Sequence, residues 1–192
     1  MQYLILSNQK KAFFGAFWFI TLKEFISFLK NQDKKLNIFK ENNIAKKIAL
    51  KLYKKQPIII GAEFFIGNLR VLRNQFCENS KNFASYLTIP ELNHYALESL
   101  INPKSNKEIL SFFFLDSNLY HPRIQKRSEL TKQIVKKNKI EIISYEAIGK
   151  NKMEQSFEIL QIGTWVTFYL AILNEIDPSQ VPWVDWFKKE LK

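Results

Sequence analysis

The sequence predicts an α/β protein in which a parallel sheet lies between layers of helices. Short, continuous apolar runs occur at PIIIGA (57–62), EILSFFFLD (108–116) and NKIEIIS (138–144), the pattern of strands buried on both faces. Between and after them lie longer stretches whose apolar residues recur at three- and four-residue steps, and strands alternating with such helices give a parallel sheet covered on both sides. Hydrophobic residues make up 46% of the chain and include 17 Phe, enough for a sizeable core and too many for a disordered chain.

Taken in order, MQYLILS reads as one strand, followed by a helix from Lys11 to about Lys30 with Phe14, Phe17, Trp18, Leu22, Phe25, Ile26 and Leu29 on its apolar face. NQDKKLNIFK at 31–40 is a polar interruption and reads as an interdomain linker. A helix over Asn43 to Lys55 buries Ile44, Ile48, Ala49 and Leu52. After the strand opened by Pro57 comes a helical stretch at 63–84, a short strand at Ser85–Ile89 ended by Pro90, and a helix starting near Asn93. HPRIQKRSELTKQIVKK places Pro122 in the first turn of a helix with a basic outer face, where His121 is a structural residue of the helix start. A long helix at 153–174 follows Gly149, with Trp165, Phe168 and Tyr169 read as core, and the chain closes with DPSQVP and a terminal helix.

The net charge is +11, from 29 Lys and Arg against 18 Asp and Glu. The lysines are scattered along helical stretches, and no RNA- or DNA-binding signature accompanies them, so they read as solvated faces and no nucleic-acid partner is expected. A single cysteine, Cys77, allows neither an internal disulfide nor a cysteine metal cluster and fits a reducing cytoplasm; it reads as a small helix residue. AFFGAFWFI at 12–20 is short and soon followed by Lys23 and Glu24, so it reads as a buried helix face, with no membrane partner expected.

The densest set of functional groups lies between Leu69 and Leu100, where Glu78, Lys81, Glu91 and His94 fall close together. A histidine near carboxylates is how proton transfer near neutral pH is usually arranged. The series R-x-Q-x-x-E-N-x-K at Arg73, Gln75, Glu78, Asn79 and Lys81, followed by P-E-L-N-H at Pro90 to His94, resembles the second sugar-isomerase (SIS) domain of the bifunctional phosphoglucose/phosphomannose isomerases. D-x(6)-R-x(3)-R-x(3)-T at Asp116, Arg123, Arg127 and Thr131, G-T-W-V-T-x-Y-L-A at Gly163 to Ala171 and D-P-x-x-V-P-x-V-x-x-F-K at Asp177 to Lys188 match in the same order. YLILSNQKKAFFGAFWF is similar to the family's junction after its first SIS domain.

The resemblance implies a three-layer, flavodoxin-like SIS domain over 41–192, preceded at 1–40 by the tail of a first SIS domain. It implies isomerisation of glucose 6-phosphate or mannose 6-phosphate to fructose 6-phosphate through an enediolate, with no metal or nucleotide cofactor. By the same resemblance Glu78 is the proton-shuttling base and His94 the ring-opening group, acting in the family from the neighbouring subunit of a dimer. Lys188 matches the lysine near the sugar ring oxygen, and the enediolate-stabilising arginine falls at Lys11, with Lys10 the alternative. Arg73, Lys81, Glu91 and Asn93 are expected around the substrate.

The chain departs from the family in several places. Lysine at position 11 keeps the charge but loses arginine's planar, bidentate fork. Cys77 and Tyr95 stand where the family often has Asn, and the Ser/Gly-rich phosphate loop of the first domain is missing, so a separately encoded first half is an expected partner besides a homodimer. Bland readings stay open beside the chemical ones. Glu78 could pair with Lys81 at i+3, His94 could be a helix-start residue capped by Asn93, and Lys188 with Lys189 could form a solvated face. A non-catalytic module that binds sugar phosphate or only dimerises is the rival to the isomerase.

Overall fold

The computed structural model describes residues 22–192. The strand expected at 1–7, the first half of the helix expected from Lys11, and Lys11 itself lie outside the described residues. A helix over residues 22–36 (α1) leads through a turn to α2 (Ile44–Leu52). Then follow β1 (Gln56–Ala62), α3 (Ile66–Glu78), β2 (Ser85–Ile89), α4 (Leu92–Tyr95), α5 (Asn106–Ile109) and β3 (Leu110–Ser117). The chain continues through α6 (Pro122–Lys137), β4 (Glu141–Ala147), α7 (Lys152–Leu173) and α8 (Pro182–Glu190).

The four strands form one parallel sheet in the order β2-β1-β3-β4, as the alternation of apolar runs with amphipathic stretches predicts. From β1 the chain moves one way to β2 through α3, and from β3 the other way to β4 through α6. Right-handed crossovers in opposite directions put α3 and α6 on opposite faces, which makes three layers. α3 packs on β1 and β2 and is flanked by α7, which carries α2 on its other side, whereas α6 spans β2, β3 and β4. Ile59, Ile60, Phe113 and Phe114 are fully buried at the sheet centre, each stabilising the fold by about 1.5–3 kcal/mol relative to exposure.

Local chemistry explains the element ends. Asn43 caps α2 by accepting from the Lys46 N–H at 2.8 Å, and its amide donates to the Leu36 carbonyl and the Tyr169 hydroxyl, tying α1, α2 and α7 together. His121 caps α6 through Nδ1, which accepts from Arg123 N, with Pro122 in the first turn as expected. α7 is long and apolar enough by composition to cross a membrane, yet ten of its residues are buried against the rest of the fold. Its buried Glu158 accepts from Ile148 N, Gly149 N and the Tyr145 hydroxyl, so three donors hold the turn from β4 into α7 without a cation.

Two expectations need correction. The polar stretch at 31–40 is not all linker: helix continues to residue 36, where Leu36 and Gln32 are buried and Trp165 Nε1 donates to Asp33 at 3.0 Å. The helix expected over 63–84 is shorter at both ends, with a 3-10 turn at Glu63–Phe65 and a loop from Asn79, where Lys81 has φ 51°. Cys77 lies in the last turn of α3, the helix position expected for it, and is exposed.

Two glycines leave room for α3, Gly163 on the side of α7 and Gly61 on the side of β1. A Cβ at Gly163 would lie 2.6 Å from both Gln75 Oε1 and Leu72 Cδ1, and one at Gly61 would lie 2.9 Å from Leu69. Gly163→Val is therefore expected to lower the unfolding free energy by about 2 kcal/mol through overpacking, read as a reduced urea midpoint; an unchanged midpoint contradicts the close contact. Burial pushes the Tyr120 and Tyr145 phenols well above their ordinary value of 10.0, with Glu158 adding to the shift at Tyr145. The unfolded chain ionises both near that ordinary value, so the stability they contribute is present below about pH 10 and is lost as pH rises further. Spectrophotometric titration should leave these two tyrosines protonated until the fold opens.

Candidate active site

In this parallel sheet every strand runs toward one edge, and α3 returns the chain to the other. Glu78, at the end of α3, lies at the edge where strands begin: Asn82 Nδ2, in the loop after it, donates to the carbonyl of Lys55, which precedes β1. His94, on α4 directly after β2, lies at the edge where strands end. β2 alone spans on the order of 13 Å at about 3.3 Å per residue, far beyond hydrogen-bond reach. Although 16 positions apart in sequence (94 − 78), the carboxylate and the imidazole of one chain do not meet.

Two pairs of helix residues hold Glu78 in place. Gln75 Nε2 donates to Thr164 Oγ1 at 2.9 Å, and Asn79 Nδ2 donates to Thr167 Oγ1 at 3.2 Å. Four- and three-residue spacings thus set one stripe of α3 against one stripe of α7. The Glu78 carboxylate is exposed and has no hydrogen-bond partner among the described residues. Lys81, left-handed in backbone, turns its ammonium to the backbone carbonyls of Glu78 and Pro178, so the side-chain ion pair at i+3 is not formed.

The Lys81–Pro178 contact draws the segment before α8 to the Glu78 edge. There Asp177 accepts from the Ser179 hydroxyl and N–H, and these bonds hold its carboxyl below its ordinary value. α8 follows with Lys188 and Lys189 exposed and no residue buried. Arg73, half-buried on α3, donates twice to Asn74 Oδ1 and stacks over Tyr86 at 5.5 Å.

At the opposite edge, Glu91 accepts from Thr88 at 3.0 Å, and Asn93 bonds Thr131 and Arg127. α4 is N-capped at Glu91, so Asn93 sits inside the helix rather than capping it. The His94 side chain is exposed, without a partner among the described residues. The structure thus groups Glu78 with Lys81 and the approach to α8, and groups His94 with Glu91 and Asn93. Lys11 lies outside the described residues.

Open parallel sheets usually bind ligands outside the carboxyl ends of strands where the strand order reverses, here between β1 and β3. That position is filled. Phe64, Phe65 and Tyr120 pack with ring centroids 4.5–5.6 Å apart, and the Tyr120 hydroxyl bonds Ala62 N and the Leu115 carbonyl. The turn after β1 is Glu63-Phe64-Phe65, a 3-10 turn that leads directly into α3 with Ile66 N donating to the Glu63 carbonyl, so no Ser/Gly-rich loop for phosphate lies at this position. Among the described residues, no group of His, Cys, Asp and Glu is arranged to hold a metal ion.

Sequence reasoning missed the polar seams that hold these groups. Gln75 and Asn79, four apart, share a helix face, as do Thr164 and Thr167, three apart; that spacing was the available signal. The pairing of Asn93 with Thr131 crosses 38 positions and leaves no local trace.

Residues 41–191 match the family described as bacterial phospho-glucose isomerase C-terminal SIS domain. The chain is 32% identical over 155 residues to a bifunctional phosphoglucose/phosphomannose isomerase of Caldicellulosiruptor bescii, covering 79% of this chain and 45% of that protein. It is 26% identical to the protein of the same name from Aquifex aeolicus, covering 77% and 46%. The chain spans about half the length of the curated relatives it matches. Among solved structures, a glucose-6-phosphate isomerase like protein from Thermus thermophilus superposes with a TM-score of 0.68 at 19% identity, covering 82% of this chain and 54% of that one, a likeness of fold.

Because the Lys81 ammonium bonds the Pro178 carbonyl, Lys81→Met should free the segment between α7 and α8. Limited proteolysis is expected to cut between residues 174 and 182 several-fold faster in the variant. Equal cleavage rates would mean that the segment is held by other contacts.

Proposed function

The chain belongs to the family of bacterial phosphoglucose isomerase C-terminal SIS domains, a family of sugar isomerases, and on that premise we propose that it is the C-terminal half of an aldose–ketose isomerase. The substrates are glucose 6-phosphate or mannose 6-phosphate and fructose 6-phosphate, and the enzyme works in the cytoplasm. Residues 1–40 are the tail of a first SIS domain and 41–192 the second. His94 opens the sugar ring by moving a proton between the ring oxygen and the anomeric hydroxyl. Glu78 then takes the proton from one of the two adjacent carbons and returns it to the other, through an enediolate. Lys188 and Lys11 supply positive charge near the ring oxygen and the developing oxyanion, and Arg73, Lys81 and Glu91 surround the substrate.

One observation carries the form of this proposal: Glu78 and His94, both exposed and without partners among the described residues, lie at opposite edges of the sheet. A base and a ring-opening group must both reach a six-carbon sugar within about 3 Å of their protons. The working site therefore joins Glu78 of one chain to His94 of a second copy in a homodimer, and the phosphate anchor comes from a first SIS domain. The filled crevice between β1 and β3 favours a second reading, a module that dimerises or binds sugar phosphate without catalysis.

Fructose 6-phosphate conversion, measured with this chain alone and with the first SIS half of a relative added, separates the two. Turnover is expected on addition of the half, and Glu78→Gln should lower kcat by about 10²–10⁴-fold. No turnover under either condition, or turnover indifferent to Glu78→Gln, would leave the non-catalytic module as the function.

A further inference from the structure

The motif Asp116, Arg123, Arg127 and Thr131 has no part in the chemistry above, yet two of its members, Arg127 and Thr131, bond Asn93, the residue next to His94. α4 is only four residues long, too short to hold itself in water, and Glu91 at its N-cap makes no side-chain cap bond, its carboxylate being used by Thr88. The turn that carries His94 must therefore be fixed from outside.

The fixing groups form a closed ring. Asn93 Nδ2 donates to Thr131 Oγ1 at 2.9 Å, Thr131 Oγ1 donates to the Arg127 carbonyl at 2.8 Å, and the Arg127 guanidinium donates to Asn93 Oδ1 at 3.3 Å. Thr131 is 1% exposed. α6, which supplies two of the three residues, is itself anchored to the end of β3: Ser128 Oγ and Lys132 Nζ donate to the two oxygens of Asp116 at 2.9 and 2.8 Å. Lys132 is half-buried, which disfavours its charge, but its bonds to Asp116 and Glu129 outweigh this and hold its pKa above the ordinary value. Both ends of the Asn93 amide are engaged.

We propose that Asn93, Thr131 and Arg127 act as one positioning unit for His94, coupling the imidazole-bearing turn to α6 and, through Asp116, to the sheet. The proposal rests on the reading of His94 as the ring-opening group. Asn93, expected from the sequence to contact substrate, acts instead through its neighbour: consecutive helix residues diverge by about 100°, so an inward Asn93 leaves His94 outward. Misplacing a catalytic group by about 1 Å can cost 10²-fold in rate, so a turn with no strength of its own needs such a clamp.

The test uses the full chain, whose two histidines are both visible in carbon-edited NMR spectra. His121 caps the start of α6 and serves as the internal control for that helix. Thr131→Val and Asn93→Ala are expected to shift and broaden the His94 imidazole signals while those of His121 stay in place, and Thr131→Ser, which keeps the hydroxyl, should reproduce the unmodified spectrum. If Thr131→Val does not fold, Arg127→Met, at a half-buried site, carries the same readout. His94 signals unchanged in these variants, or moved as far by Thr131→Ser as by Thr131→Val, would overturn the proposal. In the isomerase assay Thr131→Val should lower kcat about 10-fold on ring-closed fructose 6-phosphate with KM nearly unchanged. No turnover from the unmodified chain with the first SIS half added counts against the isomerase and leaves the spectra to decide the clamp.

Discussion

The parallel pairing of the four strands is the constraint from which the rest follows. It places every strand end on one edge of the sheet and every strand start on the other, and right-handed crossovers return each helix end to the edge its strand left. A carboxylate closing α3 and an imidazole following β2 are thereby sent to opposite rims, however near they stand in sequence. The length of β2 stands between them. The same topology makes a two-chain site economical, since each copy offers one group at each rim.

The filled crevice between β1 and β3 follows from the same logic. In an open sheet the reversal of strand order leaves a gap, and an apolar chain can either bind something there or fill it from within. Here Phe64 and Phe65 come from the turn after β1 and Tyr120 from the turn after β3, so both loops that border the gap contribute to closing it. The Tyr120 hydroxyl then satisfies Ala62 N and the Leu115 carbonyl at the two strand ends, groups that a ligand would otherwise meet.

Much of this was legible in the sequence where one period dominated. β1 and β3 are continuous apolar runs with nothing to confuse them, and His121-Pro122 marks the start of α6 because proline and a polar cap act locally. The stretch at 31–40 misled because five consecutive polar residues, Asn31 to Lys35, look like a linker, whereas Gln32 is buried inside a helix that leans on α7. α3 ended early because the loop after Glu78 is set by long-range bonds, such as Asn82 to Lys55, that no local pattern announces. For the candidate site, the motif named Glu78 and His94 but not their separation, because distance along the chain says nothing of which rim a residue occupies. The ring through Asn93, Thr131 and Arg127 joins elements that only the folded sheet makes neighbours.

α8 buries none of its nine residues, and Trp183, Trp186 and Phe187 stand 80%, 57% and 56% exposed. Nine residues fall below the length at which a helix holds in water on propensity alone. Within residues 22–192 the segment leading into α8 is tied to the fold through the Lys81–Pro178 bond, and the burial that stabilises α8 is small beside that of the sheet core. Lys188 rides on that element, so the position of its charge is only as firmly set as a helix that buries none of its own side chains.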